Sequence, residues 1–138
     1  MAMFSKKGKA DGAGLRTPTD GELAILQALW RLGPSTVRQV HEDLGRDTAY
    51  TTVLKLLQIM TEKGLVTRDD KDRSHIYTAA QPAQTTQRQL LKDLVDKAFA
   101  GSAAQLVLQA LSTKRASPEE LAEIRKLLDE HEKKAGGA

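Results

Sequence analysis

The sequence predicts a mainly α-helical chain with a small β-hairpin wing: an N-terminal winged helix-turn-helix followed by a C-terminal helical dimerisation region. Two observations carry this prediction. Three segments with apolar residues at helical spacing each end at a glycine, and a short β-rich pair around a polar tip follows them directly. Helical spacing then resumes through residue 134. Three helices followed at once by a hairpin are typical of a winged helix-turn-helix.

The first helix is predicted over Asp20–Leu32. Thr19 and Glu22 stand three residues apart, the spacing of a capping box, just before an apolar face at helical period. Gly33 suits the position after a helix end, and Pro34 prevents simple continuation. A short second helix follows in "STVRQVHEDLG", with Ser35 or Thr36 as its cap and Gly45 as its end.

The third helix is predicted over Asp47–Lys63, with Asp47 or Thr48 as its cap. An apolar stripe at i, i+3, i+4 and i+7 runs from Val53 to Met60, and Gly64 ends the helix. Its first turns are rich in threonine, a mediocre helix former. Those side chains point away from the stripe, so we interpret them as a surface that touches another molecule.

The hairpin is predicted from the β-rich runs Leu65–Arg68 and His75–Ala79 around the polar tip "DDKDRS". Residues 17–80 together form the predicted winged helix-turn-helix. They carry eight cations and nine anions, so charge alone does not predict DNA binding, although the whole chain has net charge +3. Residues 1–16 are predicted to be a flexible basic arm. Composition favours a solubilising tail, and contact with nucleic acid is the alternative.

The C-terminal part, residues 84–134, is predicted to be three amphipathic helices, followed by a flexible tail at 135–138. Its last helix has a strong start signal in Ser117, Pro118 and Glu120. A segment this small buries too little surface to be stable alone, so pairing with a second copy is favoured over folding back onto the N-terminal part. The predicted dimerisation residues are Leu90, Leu91, Leu94, Val95, Leu106, Leu108, Leu111, Leu121, Ile124 and Leu128.

The candidate DNA contacts lie on the third helix, on the wing and around the second helix. In a helix-turn-helix, the N-terminal residues of the recognition helix meet base edges, and cations on neighbouring elements hold phosphates. Threonine offers a hydroxyl and a methyl group, and lysine reaches guanine or phosphate. The wing cations are interspersed with aspartates, so a merely solvated hairpin tip is the alternative there. The candidates are Thr48, Tyr50, Thr51, Thr52, Lys55, Arg38, Arg46, Arg68, Lys71, Arg73 and His75.

Signals for an enzyme or a cofactor are poor. The three histidines fall on three different predicted elements, and no cysteine, HExxH, GxSxG or glycine-rich phosphate loop is present. We therefore predict no catalytic residues, no cofactor and no metal. The lack of cysteine excludes a disulfide framework and fits a reducing cytoplasm. No apolar run approaches a membrane span, so a cytoplasmic protein without membrane insertion is predicted.

The segments "TDGELAILQALWRLGPSTVRQVHEDL", "AYTTVLKLLQIMTEKGLVTR" and "DRSHIYTA" strongly resemble the penicillinase-repressor family, the BlaI/MecI/CopY transcriptional repressors. The resemblance is clear over residues 18–80 and looser beyond. It implies a homodimeric repressor on a palindromic operator, with a role in β-lactam resistance genes in many members. It also implies relief by cleavage that a membrane-bound sensor metalloprotease triggers. The family's base-reading stretch falls on Thr51, Thr52, Leu54 and Lys55.

Two features of the sequence depart from the family pattern. The β-lactam repressors are cut at an Asn–Phe bond in an "LVLNF"-like stretch, whereas this chain has "LVLQA", so Gln109 and Ala110 mark the candidate cleavage region. The copper-responsive branch uses C-terminal cysteines, which this chain lacks. Two other functions remain open: a regulator with a small ligand bound between the dimer helices, and a winged helix used only for protein contacts.

Overall fold

A computed structural model describes residues 17–71 and 73–137. The predicted arm at 1–16, Asp72 and Ala138 lie outside the described residues. The chain divides into two compact units, one ending at Lys92 and the other beginning at Asp93. In chain order the elements are α1 (Asp20–Leu32), α2 (Val37–Leu44), α3 (Tyr50–Lys63), β1 (Val66–Asp69), β2 (Ile76–Ala79), α4 (Ala83–Ala98), α5 (Ala103–Thr113) and α6 (Pro118–Gly137).

Helices α1 and α2 begin with capping boxes, and both predicted helices are confirmed. At α1, the Glu22 amide donates to Thr19 Oγ1 over 3.2 Å, and the Thr19 amide donates to Glu22 Oε1 over 2.9 Å. At α2, Thr36 and Gln39 make the same reciprocal pair at 3.2 and 2.9 Å. Each box satisfies backbone amides that a helix start leaves without partners.

The predicted start of the third helix is wrong. Neither Asp47 nor Thr48 caps it: α3 begins at Tyr50, and its N-cap is Ala49, which has no side-chain hydrogen bond. The carbonyl of Thr48 instead contacts His41 Nε2 at 2.9 Å, and this contact places Thr48 in the turn before the helix. The predicted end is confirmed, because Gly64 adopts φ 84° and its amide donates to the carbonyls of Met60 and Thr61.

The predicted hairpin is confirmed, with each strand beginning one residue later than expected. Strands β1 and β2 pair antiparallel, with Val66 opposite Ala79 and Arg68 opposite Tyr77. Ser35, in the turn before α2, adds two backbone hydrogen bonds to β2: its amide donates to the Tyr77 carbonyl over 3.0 Å and its carbonyl accepts from the Tyr77 amide over 2.8 Å. The wing is therefore fastened to the helix-turn-helix.

The core of the first unit is the predicted apolar stripe of α3 packed against α1, α2 and the hairpin. Val53, Leu57 and Met60 are fully buried. Burial of each such side chain contributes roughly 1.5–3 kcal/mol relative to exposure. Trp30 is half-buried at the edge of this core, and its Nε1–H donates to the Gln81 carbonyl over 2.9 Å. The buried apolar residues are Ile25, Leu26, Ala28, Leu29, Val37, Val40, Val53, Leu57, Met60, Leu65, Val66 and Tyr77.

One buried carboxylate joins the start of α1 to the end of α3. Glu22 is 1% exposed, and its Oε2 accepts a hydrogen bond from Lys63 Nζ over 2.7 Å. Burial raises the pKa of Glu22, but the hydrogen bonds from Lys63 and Thr19 together outweigh burial, and the net pKa lies below the ordinary value. The capping box predicted from the sequence thus also carries an ion pair that the sequence did not reveal.

The second unit keeps its helices but buries no side chain. Among residues 93–136 every side chain is exposed or half-buried. The predicted start of α6 is confirmed: the Glu120 amide donates to Ser117 Oγ over 3.0 Å, and the Ser117 amide donates to Glu120 Oε1 over 2.8 Å. Helix α6 continues through Gly137, past the end expected at Lys134. Within the described part of the chain, no helix is long and apolar enough to cross a membrane.

The turn between α4 and α5 uses two consecutive residues with positive φ, Ala100 at 50° and Gly101 at 81°. The Gly101 amide donates to the Val95 carbonyl over 2.9 Å, which closes the end of α4. Glycine reaches this region of φ freely, whereas alanine pays a steric cost for it. The turn therefore stores strain at Ala100.

Candidate nucleic-acid interface

The first turns of α3 present a polar face to solvent. Val53, Leu57 and Met60 are fully buried on one side of the helix. Thr51, Thr52 and Lys55 lie on the other side, and all three are exposed. A helix has 3.6 residues per turn, so the buried stripe fixes the direction of the opposite face. The structure therefore brings these three predicted contacts together on one surface.

The remaining candidates on and before α3 differ from these three in exposure or in position. Thr48 is half-buried in the turn, not on the helix as predicted. Leu54 is half-buried and packs against the core, so only part of its side chain is accessible. Tyr50 is 45% exposed, and its ring meets the His41 ring edge-on, with centroids 5.6 Å apart and an interplanar angle of 83°. Tyr50 is thus accessible yet held in place.

The wing carries a small charge network that the sequence did not reveal. Asp70 Oδ1 lies 2.8 Å from Arg68 Nε and 2.6 Å from His75 Nδ1, so one carboxylate contacts two of the four predicted phosphate-binding side chains of the wing. The neighbouring carboxylate of Asp69 accepts a hydrogen bond from the Lys71 backbone amide over 3.0 Å. Asp70 therefore orients Arg68 and His75 on the wing. The Lys71 and Arg73 side chains are exposed.

Arg68 faces Tyr77 across the hairpin. The Tyr77 hydroxyl, followed by the Asp70 carboxylate, raises the pKa of the Arg68 guanidinium. The Tyr77 hydroxyl is buried and forms no hydrogen bond of acceptable geometry with the described residues. We therefore regard the Asp70 contact as the one that orients Arg68, and Tyr77 as an electrostatic neighbour.

The last two candidate contacts flank α2. Arg38 lies in its first turn, and Arg46 lies in the turn between α2 and α3. Both side chains are exposed. Within residues 17–71 and 73–137, no group of three or more metal-ligating side chains comes together. The chemistry that this surface offers is hydrogen bonding and positive charge.

These features define the class: a winged helix-turn-helix protein that presents a recognition helix with a free polar face. A profile of the family described as penicillinase repressor matches residues 18–130. The chain belongs to this family and is a transcriptional regulator with the winged helix of a DNA-binding repressor, not an enzyme.

Two individual relatives are similar to this chain over most of its length. The chain is 36% identical over 116 residues to the transcriptional regulator BlaI of Mycobacterium tuberculosis (strain CDC 1551 / Oshkosh), with 82% of this chain and 83% of that protein covered. It is 21% identical over 115 residues to the penicillinase repressor of Bacillus licheniformis, covering 82% and 90%. Among solved structures, the transcriptional regulator Tm0710 from Thermotoga maritima aligns with a TM-score of 0.48 at 18% identity, covering 92% of this chain and 80% of that one.

Proposed function

We propose that the protein represses transcription as a homodimer whose two α3 helices enter major grooves of a palindromic operator. The observation that carries this proposal is the exposure of Thr51, Thr52 and Lys55 on a helix whose Val53, Leu57 and Met60 are fully buried. In this fold the recognition helix reads base edges with its N-terminal residues. Two-fold symmetry would place the half-sites about one helical turn apart, roughly 10 bp centre to centre.

The wing and the arginines around α2 would supply phosphate contacts. Arg68 and His75 share the Asp70 carboxylate, so these side chains are pre-oriented at the surface. Phosphate contacts fix register and orientation, and they make affinity fall with salt. We therefore assign residues 17–80 to DNA binding, with Arg38, Arg46, Lys71 and Arg73 as further backbone contacts.

Dimerisation is assigned to residues 84–134. The apolar side chains of this region lack a buried environment within one chain: Leu108 is 62% exposed and Leu128 is 55% exposed. Exposed apolar stripes of this kind mark association surfaces. A second copy of the same helices would bury them with two-fold symmetry. Linking two winged helices would also raise operator affinity well above that of one.

The recognition face is tested with Thr52→Ala and Lys55→Ala, measured by fluorescence anisotropy on DNA from upstream of the protein's own gene. Each variant is expected to weaken specific binding about tenfold, equivalent to about 1.4 kcal/mol. If Lys55 contacts a phosphate, its variant also lowers the salt slope by about one and weakens binding to all sequences alike. If Lys55 reads a base, specificity relaxes at one position.

Matched controls carry the same substitutions outside the winged helix. Thr113→Ala changes an exposed threonine of α5, and Lys126→Ala changes an exposed lysine of α6. Both controls should bind the operator like the unmodified protein. Wild-type affinity in Thr52→Ala and Lys55→Ala, together with unchanged folding, would remove the recognition face from the proposal.

The dimer is tested by sedimentation of Leu108→Glu and Leu128→Glu. A charge placed in an apolar interface is costly to desolvate, so both variants should sediment as monomers at concentrations where the unmodified chain is a dimer. Glu123→Gln, which changes an exposed charge on the same helix α6, serves as the control. A monomeric unmodified chain would contradict the homodimer.

Relief of repression is proposed to follow cleavage in the Gln109–Ala110 region, triggered by a membrane-bound sensor metalloprotease. Both residues are exposed but helical, and their carbonyls accept hydrogen bonds from the hydroxyls of Ser112 and Thr113. Cleavage would therefore follow local opening of α5. Mass spectrometry of the chain before and after induction tests this step, and an intact chain in fully derepressed cells would exclude it.

A further inference from the structure

Helix α3 begins without the device that starts other helices of this chain. Side-chain oxygens of Thr19, Thr36, Ser102 and Ser117 accept from backbone amides at the starts of α1, α2, α5 and α6. At α3 the N-cap is Ala49, which has no side chain for this purpose. The helix that is proposed to read the operator therefore begins without a side-chain cap of its own.

His41, on α2, contacts the residues on both sides of that alanine. Its Nε2 lies 2.9 Å from the Thr48 carbonyl, and because a carbonyl only accepts, Nε2 carries the hydrogen. The edge-to-face contact with Tyr50 holds the first side chain of α3. His41 is half-buried, whereas Tyr50 stays 45% exposed. One side chain thus restrains the backbone before the helix and the first side chain within it.

We propose that His41 is a positioning residue for operator recognition: it fixes the first turn of α3 and the direction of Tyr50, and it does not itself contact DNA. The inference rests on the proposed function, because it presumes that α3 reads the operator. If the first turn of α3 were loosened, it would be less ordered in the free protein. Binding to the operator would then have to restore that order, which weakens affinity. The penalty would appear in operator affinity beyond any loss of folding stability.

A double-mutant cycle tests this role, with His41→Ala, Tyr50→Ala and the double variant measured against DNA from upstream of the protein's own gene. His41→Ala is expected to weaken binding about fivefold when Tyr50 is present and less than about twofold when it is absent. The salt slope should not change, because His41 contacts no phosphate. His41→Gln keeps a donor but loses the ring, so it should recover part of the affinity.

Thr19→Ala is the matched control for stability. It removes the cap of α1, which lies outside the predicted contact set, and destabilises the same unit. At a temperature where circular dichroism shows all variants folded, Thr19→Ala should bind the operator like the unmodified protein. Equal losses in Thr19→Ala and His41→Ala would reduce His41 to a general stabilising residue and overturn the proposal.

Four further outcomes separate the possibilities. An additive double variant would mean that His41 does not act through Tyr50, and a salt slope lowered by about one would mean that His41 binds phosphate; either result overturns the positioning role. If Thr52→Ala and Lys55→Ala lose affinity but His41→Ala does not, only this inference fails. If Thr52→Ala and Lys55→Ala bind normally, the proposed function fails at its own recognition face.

Discussion

The winged-helix unit buries its apolar side chains within one chain, whereas the C-terminal helices leave many of theirs exposed. In the first unit Val53, Leu57 and Met60 of α3 are fully buried, and polar side chains are left at the surface. Between residues 93 and 136, leucines remain exposed on helices that are equally well begun. Local signals therefore specify helices in both regions, but only the first unit encloses a core within one chain. The candidate DNA-contact residues therefore lie on a unit with a packed core, whereas the apolar side chains that still need a covering surface lie in the C-terminal helices.

The largest expected effect comes from truncating the same residue type in each region. Leu57→Ala should destabilise the first unit by about 2–5 kcal/mol, because it leaves a cavity in a fully packed core. Leu128→Ala should change the unfolding of that unit by less than about 0.5 kcal/mol, because the side chain is 55% exposed. Trp30 is the only tryptophan and lies at the edge of the first core, so its fluorescence during urea unfolding reports on this unit.

Leu108→Ala, another exposed leucine of the second unit, controls for the choice of Leu128. The contrast would collapse if either exposed-leucine variant lowered the Trp30-monitored stability as much as Leu57→Ala. If Leu128→Ala and Leu108→Ala lost the dimer while the unfolding transition followed by Trp30 stayed unchanged, the contrast between the two units would be strengthened.

The next effect concerns the Glu22–Lys63 pair of the first unit. Glu22→Gln should cost about 1–3 kcal/mol at neutral pH, because it removes the carboxylate from a buried hydrogen-bonded pair. The folded pKa of Glu22 lies below its ordinary value of 4.5. Its contribution is therefore full above the unfolded pKa and is lost as pH falls through the lower folded pKa.

Urea unfolding at several pH values between 7 and 3 measures this contribution. The stability gap between the unmodified chain and Glu22→Gln should be widest near neutral pH and should close in acid. Glu62→Gln, an exposed glutamate on α3, should show no comparable gap. A gap that stayed constant with pH would show that the carboxylate charge does not stabilise the unit.

The smallest effect is expected in the turn between α4 and α5. Ala100→Gly should stabilise the second unit by up to about 1 kcal/mol, since glycine adopts φ 50° without the steric cost that alanine pays. Ala122→Gly, within α6, should destabilise by about 1 kcal/mol. Thermal melting followed by far-ultraviolet circular dichroism at fixed protein concentration compares the two. Destabilisation by both glycines would mean that Ala100 is not strained.

The sequence predicted the elements whose limits are set locally. The capping pairs at Thr19, Thr36 and Ser117 act within three residues, so α1, α2 and α6 begin where their sequences indicate. The predicted start of α3 was wrong because the pattern indicated an aspartate or threonine cap, whereas the N-cap is Ala49, which has no side-chain hydrogen bond. The contact between His41 and the Thr48 carbonyl comes from another helix, so the local sequence pattern does not contain it.

In the candidate DNA-contact site, too, some features follow from local sequence and others depend on residues far apart in the chain. The outward face of Thr51, Thr52 and Lys55 followed from helical periodicity alone. The shared carboxylate of Asp70 did not, because it depends on how the two strands meet at the hairpin tip. Nor could Lys63 be paired with Glu22, 41 residues away. For the leucines of α5 and α6, the sequence shows the apolar stripe but not the surface that covers it.

The two backbone hydrogen bonds between Ser35 and Tyr77 have a consequence for self-assembly. A strand with an unpaired margin is a template on which foreign strands add, and this is a common route to aggregation. Ser35 occupies the outer side of β2 at its most buried residue, so a neighbouring chain finds no free backbone groups at that point. Addition of a foreign strand to β2 is therefore blocked at Tyr77 by the protein's own chain.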